Sequence, residues 1–109
     1  MSDYATSPDM IVLHPADNVA TALKNLAAGG PASLAGPEGR LQPLALRDQI
    51  KLGHKAALRN ISKGELAIKH GVPFGRATSD IAVGEHVHIQ NIASLSQETD
   101  LMPRDDRHD

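Results

Sequence analysis

Apolar positions along this chain come in short bursts, and their spacing changes once. Residues 10–13 (MIVL) form a brief apolar run of the kind that makes a buried strand. Over 14–30 (HPADNVATALKNLAAGG) the period is helical. Val19, Leu23 and Leu26 follow an i, i+4, i+7 stripe with Ala22 beside it, and Asp17 or Asn18 is placed to cap the N-terminus. Gly29 and Gly30 end the segment. Residues 31–40 (PASLAGPEGR) are broken by proline and glycine and predict turn and loop. Residues 41–46 (LQPLAL) predict a strand, which Pro43 confines to a sheet edge.

From residue 50 onward, short apolar segments alternate with glycine at 53, 64, 71, 75 and 84. AALRNI leads to the turn signal SKGE, ELAIK to HGVPFG, and SDIAVGE to HVHIQNI. Short strands with glycine at the corners predict a compact, coiled β unit. NISKGE (60–65) and DIAVGE (80–85) share one pattern, a polar residue, Ile, two residues and Gly-Glu, and predict the same tight turn. The fold expected is mainly β with one helix, a single domain over 10–95 between flexible ends at 1–9 and 96–109.

A length of 109 residues allows one modest core. Hydrophobic residues are 40% and aromatic residues only 2%. The core must therefore come from Ala, Val, Ile and Leu, which leaves room for support from a partner. A formal net charge of −2 gives no electrostatic reason to bind nucleic acid or an anionic membrane. The absence of cysteine removes disulfides, thiolate nucleophiles and thiolate-bound metals. The polar start MSDYATSPDM lacks the regions of a signal peptide, and no apolar run is long enough to cross a bilayer. A cytoplasmic protein is expected.

The chemistry concentrates in GEHVHIQN, residues 84–91. In a strand, His86 and His88 share one face while Val87 and Ile89 point to the other, toward the core. Two imidazoles side by side suit a transition metal, a carboxylate or acid–base work near neutral pH. They suit equally a solvated strand face, since a catalytic zinc site takes three protein ligands. GHK (53–55) pairs a titratable ring with a fixed positive charge, matched to an anionic substrate or to a plain surface turn. His14 precedes the expected helix, where free amides favour an anion. His70 sits in a turn. No GxGxxG, Walker A or Ser-His-Asp pattern is present.

Taken together, HPADNVATAL and GHKAALRNISKGELAIKHGVPFGRATSDIAVGEHVHIQN resemble the small SAF-type domain of the altronate and galactarate dehydratase family, over residues 11–92. His14, Asp17 and Asn18 fall on its His-x-x-Asp-Asn-Val motif. Gly53, His54 and Lys55 fall on Gly-His-Lys, and Gly84, His86, Val87, His88 and Asn91 on Gly-x-His-Val-His-x-His-Asn. Two positions depart: His70 stands for the usual Tyr, and Gln90 for a third His, so the base that position would offer is gone. The segment GPEGRLQP also looks longer than a minimal hairpin.

The resemblance implies a β-clip of short twisted strands. It implies the small subunit of a two-chain hydro-lyase that removes water, or in one branch sulfite, from a sugar acid or related 2-hydroxy acid. Its catalytic residues would be His54, His86 and His88, with His14, Asn18, Gly53, Lys55 and Asn91 at the substrate. The cofactor would be Fe2+ or Mn2+, held mainly by a large dehydratase subunit, with His86 and His88 as possible ligands here. Expressed alone, the chain could self-associate. The rival reading is a non-catalytic module that binds carbohydrate or carboxylate, or that regulates.

Overall fold

The computed structural model describes residues 8–95. Nine short strands run in chain order: β1 (Met10–Ile11), β2 (Val19–Ala22), β3 (Pro31–Ala35), β4 (Leu41–Ala45), β5 (Lys55–Ala57), β6 (Leu66–Lys69), β7 (Val72–Ala77), β8 (His86–Val87) and β9 (Ile92–Ser94). Six form one sheet in the order β4-β3-β1-β2-β5-β8, and three form a second, β6-β7-β9. β1 and β3 pair in parallel, and every other pair is antiparallel. The mainly β expectation holds, with β1 and the edge strand β4 where the pattern put them. The expected flexible ends lie outside the described residues, apart from Pro8 and Asp9. Asp9 exchanges hydrogen bonds with Ser33 and pairs with Lys24 at 3.2 Å.

Two expectations are corrected. Residues 14–30 form no helix, and the described residues contain none. The segment is a turn, strand β2 and a second turn. β2 lies inside the sheet, bonded to β1 on one side and β5 on the other. Ala20 stands opposite Ala56, and Val19 opposite Ala57, so small side chains let the strands pack on both faces. Cross-strand pairing overrides a weak helical preference. Leu23, on the expected helix stripe, is 43% exposed. Residues 31–35, expected in a loop, form β3, which bonds to β1 and β4.

The turn look-alikes make the same corner. In each, Ile opens the turn (Ile61, Ile81), and the two isoleucines bridge each other. The N–H two residues before glycine, Ser62 or Ala82, donates to the following glutamate carboxylate, Glu65 or Glu85. Two more copies occur, at 26–29 and 50–53, with Leu26 bridged to Ile50. Each corner glycine donates its N–H to the carbonyl of a distant segment: Gly29 to Leu46, Gly53 to Ala22, Gly64 to Ala77 and Gly84 to Ala57. Two of these corners lead straight into His54 and His86.

The core is divided in two. One cluster, centred on Met10, Ile50 and Leu34, lies under the larger sheet, and the other joins Val19, Ile61, Ile81 and Val87. Asn18 ties the sheets together. Its side chain is 1% exposed, its amide donates to the Leu66 carbonyl (2.9 Å), and its oxygen accepts from the Ile68 N–H (2.7 Å). Asn18→Ala leaves both backbone groups without that partner and should destabilise the chain by about 2–4 kcal/mol. A urea titration against the native chain measures this; a loss under about 1 kcal/mol would mean that water replaces both bonds.

Candidate functional site

The site is a product of strand register. β5 and β8 pair with Lys55 opposite Val87 and Ala56 opposite His86. One step further along this antiparallel register sets His54 opposite His88. Residues that face each other share a side, and so do i and i+2. His54, His86 and His88 therefore emerge on one face, with Lys55 and Val87 on the other. The rings stack accordingly: centroids are 4.4 Å apart for the opposed pair His54–His88, 5.1 Å for His54–His86 and 5.2 Å for His86–His88. The expected sharing of a face by His86 and His88 is realised, and a third ring joins them.

The backbone under the rings is well held. The His54 N–H donates to the Lys51 carbonyl (2.8 Å) within its corner. The His86 N–H donates to the Asp48 carboxylate (2.8 Å). Asn91 clamps the histidine strand: its amide donates to the His86 carbonyl (2.8 Å) and its oxygen accepts from the His88 N–H (3.0 Å). Gln90, the departure from the family pattern, lies 3.3 Å from His86 Nδ1 and hydrogen-bonds to that ring.

His54 Nδ1 and His86 Nε2 are 2.9 Å apart, so one nitrogen carries a proton and the other accepts it. Burial and the neighbouring His88, Lys51 and Lys55 push the His54 pKa down. Burial, His54 and His88 push His86 down, and Asp48 opposes them. Neutral imidazole is the form that ligates metals and accepts protons.

These shifts set a pH dependence for the chelator-treated chain. Unfolded histidines titrate near 6.5, and the folded ones titrate lower. Between the two values the unfolded chain binds more protons, so stability present above about pH 6.5 is lost as pH falls. The urea midpoint should be lower at about pH 5.5 than at about pH 7.5, and His54→Asn with His86→Asn should flatten the difference. An unchanged slope in that double variant would locate the dependence elsewhere.

The remaining candidates divide. Lys55 projects from the opposite face of β5, with Nζ 5.3 Å from the Phe74 ring centroid. Burial and Lys69 push its pKa down. Gly53 (φ +84°) makes the corner before His54. Asn18 and Asn91 spend both ends of their amides on the backbone. His14 lies elsewhere, in a groove with Asp17, Pro37 and Gln42, and its Nδ1 accepts the Ala16 N–H. Asp17 is 4% exposed, and its carboxylate accepts the N–H groups of His14 and Gly71. Ile89, expected to face the core, is 84% exposed, because the strand ends at Val87 and the chain turns through 88–91. Nothing local signals Asp48 or Phe74: Asp48 lies 38 residues before His86, whose N–H it accepts, and Phe74 meets Lys55 only through the fold.

These features define a small two-sheet β domain with a histidine cluster where two of its strands meet. Comparison with known proteins names its family. A family model described as the altronate/galactarate dehydratase SAF domain matches residues 8–95, and the chain belongs to that family. It is 46% identical over 81 residues to the altronate dehydratase of Escherichia coli and 37% identical over 81 residues to that of Bacillus subtilis. Each alignment covers 74% of this chain but 15% of the relative, so the chain spans only a small part of those enzymes. It is also 38% identical over 55 residues to the (2R)-sulfolactate sulfo-lyase subunit alpha of Chromohalobacter salexigens, covering 50% of this chain and 58% of that subunit.

Proposed function

We propose that this chain is the small, histidine-bearing subunit of a cytoplasmic two-chain hydro-lyase that removes water from a sugar acid such as altronate or galactarate. One observation carries the reading: the family's separate Gly-His-Lys and His-Val-His motifs converge on a single cluster of His54, His86 and His88. Membership in a lyase family supports it, and the relatives named as subunits of a sulfo-lyase support a separate partner chain.

The divalent metal implied by the family fits this donor set. The ring nitrogens of His54, His86 and His88 all lie within 4.8 Å of one another. Imidazole suits iron better than it suits manganese, which favours oxygen ligands. These three residues would hold the ion, which supplies positive charge against a developing oxyanion. Before the ion binds, the linked pair His54 and His86 shares one proton between ring nitrogens, and that proton must leave when both rings become ligands. Lys55, expected at the substrate, lies on the opposite face of β5 from the three rings. Asn91 and Gly53 position the cluster, Asn18 joins the two sheets, and His14 lies apart from it.

A second reading is supported by the sulfo-lyase relatives, which are themselves named as subunits. The Paracoccus pantotrophus subunit alpha is 38% identical over 48 residues, 72% of its length. The deciding experiment purifies the chain from its own host with its co-purifying proteins and assays altronate, galactarate and sulfolactate. Formation of a 2-oxo acid from a sugar acid supports the dehydratase, and sulfite release supports the sulfo-lyase. A chain that comes down alone and inert would be the non-catalytic module.

A further inference from the structure

On the face of β5 opposite the histidine cluster lies an open groove of about 510 Å³. Phe74, Ile89 and Ile92 form apolar walls, and Lys55, His88 and Ser94 supply its polar side chains. Ile89 stands almost wholly in solvent at the rim, held out by the turn that follows His88. Lys55 is half-buried, and among the described residues no carboxylate pairs with it; the Phe74 ring is its nearest charge-stabilising contact. A half-buried ammonium without an anion is costly, and a large exposed apolar side chain beside it marks an interaction surface.

The lining says what belongs there. A polyhydroxylated acid needs a polar partner for each hydroxyl, and apolar walls leave most of them unpaired. An apolar protein segment carrying one carboxylate meets the groove on both counts: apolar side chains against Phe74, Ile89 and Ile92, and the acid on Lys55. We infer that this groove is the docking surface for the large lyase chain, which inserts an apolar segment bearing an Asp or Glu onto Lys55. This deepens the two-chain reading and rests on it. Because His88 borders both the groove and the cluster, docking here sets the partner against one of the three imidazoles.

The test is the affinity of the purified chain for the large lyase chain that co-purifies with it, by calorimetry at low and high salt. Ile89→Asp and Lys55→Glu should each weaken binding about tenfold or more, and Lys55→Met should remove most of the salt dependence. Leu41→Asp, on β4 at the far edge of the sheet, should bind as the native chain does. Unchanged urea midpoints for Ile89→Asp and Leu41→Asp separate docking from folding. Native-like affinity in both groove variants, or equal weakening by Leu41→Asp, overturns this docking surface while the two-chain reading stands. If no large lyase chain co-purifies, both fall together.

Discussion

In the two-chain lyase proposed above, His88→Ala should cut turnover by about 10²–10⁴-fold, the range for loss of one acid–base group, while the chain still folds and assembles. The side chain stands at the open end of a short ladder, so its removal deletes no core contact. His88 is absent from both buried clusters. What disappears is the ring stacked 4.4 Å from His54, and with it one of the three nitrogens that converge. Turnover should be read with metal content, because the two can fail separately. A variant that keeps its metal but loses turnover assigns His88 to the substrate, and one that loses both assigns it to the metal. Native turnover would refute any catalytic part for this residue. His54→Asn tests the neighbouring position and should lower turnover through its link to His86.

The second large effect is on stability, and it comes from comparing two copies of one turn. Gly64 and Gly84 hold the same place in matched corners, with φ of +91° and +86°. An added Cβ at Gly64 meets nothing within 4 Å. Gly64→Ala should therefore cost only the strain of the left-handed backbone, about 1–2 kcal/mol. At Gly84 the same methyl would overlap the Ala45 carbonyl oxygen and crowd the Arg47 N–H. Backbone cannot swing aside as a side chain does, so Gly84→Ala should cost about 3 kcal/mol or more. It would also disturb the corner that delivers His86. Urea midpoints of the two variants measure the gap; equal losses would show that the strands around Ala45 yield easily.

That gap illustrates which parts of this protein were readable in its sequence. The corner itself was legible, because Ile-x-x-Gly-Glu is a local pattern and positive φ is a local demand. The close approach of Ala45 to Gly84 was not, since it depends on how two distant segments cross. The same division holds for the elements. Strands β6 and β8 follow from glycine punctuation and edge strand β4 from Pro43, whereas β7 runs through 72–77, where HGVPFG predicts a turn. Residues 14–30 misled, because a run of Ala, Leu and Val fits a helix as well as a strand when only its own spacing is considered. Val19 and Ala20 become strand because β1 and β5 offer backbone partners on both sides.

By itself the sequence determined the fold class, the repeated glycine corners, the family and the pairing of His86 with His88 on one face, since each rests on local conformation or on motif order. Only the tertiary structure decided that His54 joins them, that Asn18 and Asn91 serve the backbone, and that Ile89 stands outside the core. The physical reason is register: His54 and His88 lie 34 residues apart in the chain, and one antiparallel pairing between β5 and β8 sets them opposite each other.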